Sequence, residues 1–135
     1  MVSKWMGKMH FRCLTESGHE LDMDASEDFG GENKGYRPKE LLLVGLMGCT
    51  GMDVVSLLKK MKVEDFDFNL KVDYEKSEAH PIIYKKIKLI YLFKSDKELP
   101  KEKIEKAVKL SQEKYCGVSA MISKASDLSY EIVFE

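Results

Sequence analysis

At 135 residues, with 44% hydrophobic and 33% charged side chains and a net charge of −1, the chain has the size and composition of one globular domain, residues 1–135, and not of a disordered segment. The balanced charge gives no basic field for nucleic acid. The first residues, Met1–Met6, lack the apolar core of a secretory signal, and no apolar run is expected to reach the about 18–20 residues of a membrane span, so the expected compartment is the cytoplasm. Three cysteines in a reducing compartment do not form a structural disulfide framework. They are packing residues, metal ligands or redox groups. No CxxC occurs, and His10, His19 and His80 are not spaced as ligands, so no metal is expected.

In chain order, Met9, Phe11 and Cys13 alternate with Lys8, His10 and Arg12, the period of a half-buried strand, with Cys13 expected to face a core. Ser17-Gly18 turns the chain and Leu21–Asp24 returns as a second strand. Residues 26–36 carry Gly30, Gly31 and Gly35 but match neither GxGxxG nor a Walker A pattern, so a flexible surface loop is expected there in preference to a phosphate cradle.

Pro38 opens a helix expected to reach about Lys62. Leu41, Leu42, Leu43, Val44, Leu46 and Met47 are apolar in every direction, so the segment is expected to be buried all round. Gly45, Gly48 and Gly51 recur every third residue. Mid-helix glycine costs up to about 1 kcal/mol relative to alanine, so three of them point to a tight contact, which a second subunit would supply. Thr50-Gly51-Met52-Asp53 has the pattern of a capping box, leaving two readings open: one helix, or two with a break near Gly48. The break would place Cys49 at a helix N-terminus, where the dipole favours a thiolate.

Two strand-like runs follow, Phe66–Tyr74 and Ile82–Phe93, joined through His80-Pro81 as an antiparallel hairpin. Pro100 opens an amphipathic helix through Ile104, Ala107, Val108 and Leu110 that reaches Cys116 and breaks at Gly117. A helical turn over Val118–Lys124 and a closing strand over Leu128–Phe134 complete an α+β chain.

Arg37-Pro38-Lys39-Glu40-Leu41-Leu42-Leu43, Gly48-Cys49-Thr50 and Cys116-Gly117-Val118-Ser119, in this element order, resemble the OsmC/Ohr family of osmotically inducible and organic hydroperoxide resistance proteins. The resemblance implies an intertwined homodimer, with antiparallel sheets around a long buried central helix and two active sites at the interface. It implies a thiol-dependent peroxidase reducing organic hydroperoxides, with Cys49 as nucleophile and Cys116 as resolving thiol, no cofactor, and a dithiol as reductant. Arg37 and Glu40 are the candidates for the arginine and glutamate that complete such sites, with Arg12 as the other arginine. The chain departs from the pattern at two places. Lys39 stands where the family glutamate follows the proline, and Gly117 stands where a proline often follows the second cysteine. Glu40 and Cys49 are nine positions apart, about 13 Å of helical rise on opposite faces. Glu40 therefore joins the site only through a helix break or from a second subunit. The reading from a different class is a dimeric binding protein with an apolar interface pocket and non-catalytic or redox-sensing cysteines.

Overall fold

A computed structural model describes all residues, 1–135, and falls into two compact units, Met1–Val44 and Gly45–Glu135. The first unit is built on an antiparallel meander of β1 (Val2–Gly7), β2 (His10–Leu14) and β3 (Glu20–Met23). Gly7 (φ 104°) and Lys8 (φ 47°) make the first turn, and Gly18 (φ 84°) makes the second. β1 was not legible in the sequence, because Val2–Gly7 carries no alternation; its residues through Met6 are exposed and only Gly7 is half-buried. The expected alternation of β2 holds only in part: His10 is buried, Phe11, Arg12 and Leu14 are exposed, and Cys13 is half-buried. His10 Nε2 lies 2.6 Å from Asp22 Oδ1, which also accepts from Arg12 Nε at 2.9 Å, and the bond to Asp22 gives the buried His10 ring a polar partner.

The glycine-rich segment lies largely at the surface, as expected, and internal hydrogen bonds hold it. The buried Asp24 carboxylate accepts the amides of Ala25 (2.7 Å), Lys34 (3.1 Å) and Glu32 (3.2 Å). Gly31 and Gly35 are dictated by close approach: a Cβ would stand 2.0 Å from the Ala25 carbonyl oxygen and 2.3 Å from that of Asp22.

α1 runs unbroken from Pro38 to Lys60, beginning in the first unit and lying mostly in the second. The break near Gly48 is absent, and with it the capping box: Thr50 is an interior residue of the helix. Leu46, Thr50, Val54 and Leu58 are fully buried at four-residue spacing, which is one face of an α-helix. The opposite expectation, burial all round, does not hold within one chain. Leu42, Val44, Met52 and Val55 are about half or more exposed, and a Cβ on Gly45 or Gly48 would meet nothing within 4 Å. Leu41–Leu58 contains one charge, Asp53, so α1 is in fact long and apolar enough to cross a membrane by length and composition, contrary to the sequence expectation. The buried stripe marks it instead as the core helix of a folded domain.

The second unit packs α1 with a sheet ordered β4 (Asp67–Lys76), β5 (Tyr84–Lys94), β6 (Asp127–Phe134). The hairpin is antiparallel as expected, whereas β6 pairs with β5 in parallel, so this sheet is mixed. In the central strand β5, Ile87, Leu89, Tyr91 and Phe93 are buried, the period-two face seen in the sequence. Phe68 stacks on Phe93 with ring centroids 4.6 Å apart. α2 (Lys101–Leu110) buries Ile104, Ala107 and Val108, then widens into a π-turn over Ser111–Tyr115 before α3 (Gly117–Ile122).

Candidate active site

Cys49 projects from α1 one helical turn before Asp53, so both lie on the same side of that helix. Cys116 arrives from the other end of the second unit, and the π-turn positions it. The wide turn closes with the Cys116 amide donating to the Ser111 carbonyl at 2.8 Å, after which Cys116 leaves helical geometry (φ −76°, ψ 99°) and caps α3. Inserted turns of this kind shift the register of all that follows and recur at functional sites. As a result the sulfurs of Cys49 and Cys116 and a carboxylate oxygen of Asp53 all lie within 4.8 Å of one another. Both cysteines are free thiols.

The pair is not symmetric. Cys49 is half-buried, whereas Cys116 is 3% exposed. Cys116 Sγ accepts the Ser119 amide at 3.3 Å, and Cys49 accepts a hydrogen bond from the Val118 backbone. Burial pushes the Cys49 thiol above its usual range. The Val118 amide opposes that shift, while the neighbouring Cys116 and Asp53 add to it. The helix-dipole activation expected from a break at Gly48 therefore does not operate on Cys49.

Beneath the cysteines lies a buried polar network that the sequence reading missed. Thr50 Oγ1 is 2.6 Å from Tyr91 Oη and 2.8 Å from Ser111 Oγ, and Ser111 Oγ is 3.1 Å from Asp53 Oδ2. The Gln112 amide donates to Tyr91 Oη (2.7 Å) and Thr50 Oγ1 (3.1 Å). The direction of the hydroxyl chain follows from the inventory of hydrogens. An ionised carboxylate only accepts, so Ser111 donates to Asp53; each hydroxyl has one hydrogen, so Thr50 donates to Ser111 and Tyr91 to Thr50. The chain thus ends on the Asp53 carboxylate, which lies beside the two sulfurs. Burial pushes the Tyr91 phenol up to about 12, with the Thr50 and Gln112 bonds working the other way, so it remains a neutral donor throughout. One signal was available: Asp53 is the sole charge between Leu41 and Leu58, four residues from Cys49.

The remaining predicted residues belong to the first unit. The Glu40 carboxylate accepts the Arg37 amide at 3.0 Å, closing the first turn of α1. The Arg37 guanidinium donates to the Gly35 carbonyl (3.0 Å) and to Asn33 Oδ1 (2.9 Å). Arg12 is paired with Asp22. Beside α1, Met47, Gly48, Gly51, Met52, Val55 and Phe68 form most of the lining of an open, largely apolar groove of about 560 Å³.

A model of the OsmC-like protein family matches residues 31–131. The chain is 33% identical over 132 residues to protein YhfA of Escherichia coli (strain K12), spanning 96% of this chain and 95% of that one. In structure it is similar to a hypothetical protein from Aquifex aeolicus VF5, with a TM-score of 0.80 and 34% identity over 99% of this chain and 95% of the other. An organic hydroperoxide resistance protein OsmC from Legionella pneumophila shares the fold, with a TM-score of 0.65 and 19% identity over 97% of this chain and 94% of that one.

Proposed function

The chain belongs to the OsmC-like protein family, and within it we propose that the protein is a thiol-dependent peroxidase reducing organic hydroperoxides, with Cys49 as nucleophile and Cys116 as resolving thiol. The observation that carries this reading is the meeting of two cysteines distant in sequence, one half-buried and one enclosed, with their sulfurs within 4.8 Å. The accessible Cys49 meets the peroxide; the enclosed Cys116 meets only Cys49.

The Cys49 thiolate attacks the terminal peroxide oxygen, and the O–O bond breaks. Cys49 becomes a sulfenic acid, and the alkoxide takes up the thiol's proton and leaves as the alcohol. Cys116 then attacks the sulfenic sulfur, the S–S bond forms, and water leaves. A dithiol donor reduces the disulfide and resets both thiols. The apolar groove that includes Gly48, next to Cys49 in sequence, favours an organic peroxide over hydrogen peroxide. Because burial and Asp53 both disfavour the Cys49 thiolate, the reaction needs a compensating cation. Arg37 is proposed for that role, with Arg12 as its alternative and Glu40 fixing the Arg37 segment.

A homodimer is part of the proposal, supported by the exposed apolar residues of α1 and by Val2, Trp5, Met6 and Phe11 on the first sheet. So is a soluble, cytoplasmic setting, with α1 as a core helix. The raised Cys49 thiol and the groove favour the second reading, a binding protein for an apolar ligand. Consumption of cumene hydroperoxide with a dithiol donor separates them: the peroxidase reading expects turnover that is lost in Cys49→Ser, and wild-type turnover in that variant contradicts it.

A further inference from the structure

Two thiols and a carboxylate face one another in the second unit, and this is a poor arrangement for three anions but a good one for a cation. We propose that Cys49, Cys116 and Asp53 bind one Zn²⁺ ion through two thiolates and one carboxylate oxygen.

Three features of the site support this. The first is geometry. The three ligand atoms lie within 4.8 Å of one another. Bonds of about 2.3 Å to sulfur and about 2.0–2.2 Å to oxygen require ligand atoms somewhat under 4 Å apart in a tetrahedron, so small side-chain rotations close the site. The second is the outer shell. Metal-bound thiolates and carboxylates are held by second hydrogen bonds, and these are in place. The Ser119 amide donates to Cys116 and the Val118 amide to Cys49, and Ser111 holds Oδ2 of Asp53, leaving Oδ1 for the ion. The third is chemistry. Two sulfurs select a borderline-soft ion over Mg²⁺ or Ca²⁺, and three protein ligands leave a fourth position for water. Ser119, whose amide already faces Cys116, carries a buried hydroxyl without a partner, the kind of group such a water satisfies.

Binding displaces the two thiol protons to solvent, so the ion with its three anionic ligands carries a net charge of −1. A divalent ion turns the neighbouring Cys116 and Asp53 from like charges into co-ligands of Cys49. A thiolate on zinc is a weaker nucleophile toward peroxide than a free thiolate, and a disulfide does not ligate, so oxidation of the pair releases the ion. Zinc loading and oxidation are therefore mutually exclusive states of the same pair, and zinc shields the pair from oxidation. The metal site does not require the peroxidase reading.

The test uses the full chain, reduced and stripped of metal by a chelator, titrated with Co²⁺ and then Zn²⁺. One Co²⁺ per chain is expected, with the intense thiolate-to-cobalt charge-transfer band and the visible bands of tetrahedral cobalt, displaced by Zn²⁺ with a Kd below about 1 μM. Cys49→Ser and Cys116→Ser should each lose at least half of the charge-transfer intensity. Asp53→Asn should keep the band and bind about ten-fold or more weakly, and Cys13→Ser should match the wild type. X-ray absorption of the zinc-loaded wild type, which needs no variant to fold, should show two sulfurs at about 2.3 Å and two oxygens at about 2.0 Å. Absence of the charge-transfer band, a band unchanged in Cys49→Ser and Cys116→Ser, or a shell of oxygen and nitrogen alone overturns the proposal. Metal binding without peroxide turnover would remove the proposed peroxidase function and leave this site standing; turnover without metal binding would do the reverse.

Discussion

Burial is the main influence that holds Cys49 above the usual thiol range, and Asp53 adds to it. A carboxylate within 4.8 Å of a half-buried thiol opposes thiolate formation on top of that burial. The sign is unambiguous: at neutral pH Cys49 is mainly the thiol, and its reactivity rises with pH until it has ionised. Alkylation of Cys49 by iodoacetamide, followed by mass spectrometry, should accelerate across the alkaline range. Asp53→Asn removes the repelling charge and should move the profile to lower pH, making Cys49 several-fold more reactive at neutrality. A profile that stays in place or moves up would show that Asp53 does not act on Cys49 electrostatically. Asp53 was legible in the sequence as the lone charge of an apolar helix, but its target was not, because only the fold reveals that Cys116 and Ser111 face it.

The polar chain from Tyr91 through Thr50 and Ser111 joins three elements, β5, α1 and the π-turn after α2. Thr50→Val keeps the volume of Thr50 but leaves Tyr91 and Ser111 each short of a buried partner. The expected loss is about 1–3 kcal/mol in chemical denaturation, with a smaller loss of Cys116 positioning that would show as slower disulfide formation. A variant as stable as the wild type would mean that the network is not held as drawn. Most elements could be read in advance, since their signals are local. Alternation over Phe68, Leu70 and Val72 marks β4, and Ile104, Ala107 and Val108 mark α2. Besides β1, three features could not be read. The parallel course of β6 is a property of the sheet. The unbroken α1 is decided by Thr50 finding partners inside the core. The order of the glycine-rich loop depends on Asp24, whose three amide donors come from residues up to ten positions away.

At the scale of the molecule, apolar surface remains exposed. Met52 is 76% exposed and Val55 48% exposed on one face of α1, while Gly45 and Gly48 leave bare backbone there. Sedimentation should give a dimer at micromolar concentration, with an interface of about 2,000 Å² or more. Met52→Glu, on a side chain that touches little in its own chain, should shift the protein toward monomer without loss of secondary structure. A stable wild-type monomer would contradict the assembly.

The most direct test of the central claim is peptide mapping under non-reducing conditions after one equivalent of cumene hydroperoxide is added to the reduced, metal-free protein. The account predicts one molecule of alcohol released per chain and a single new cross-link, Cys49 to Cys116, with Cys13 still a free thiol. Unconsumed hydroperoxide with both thiols free, or oxidation centred on Cys13, would contradict it.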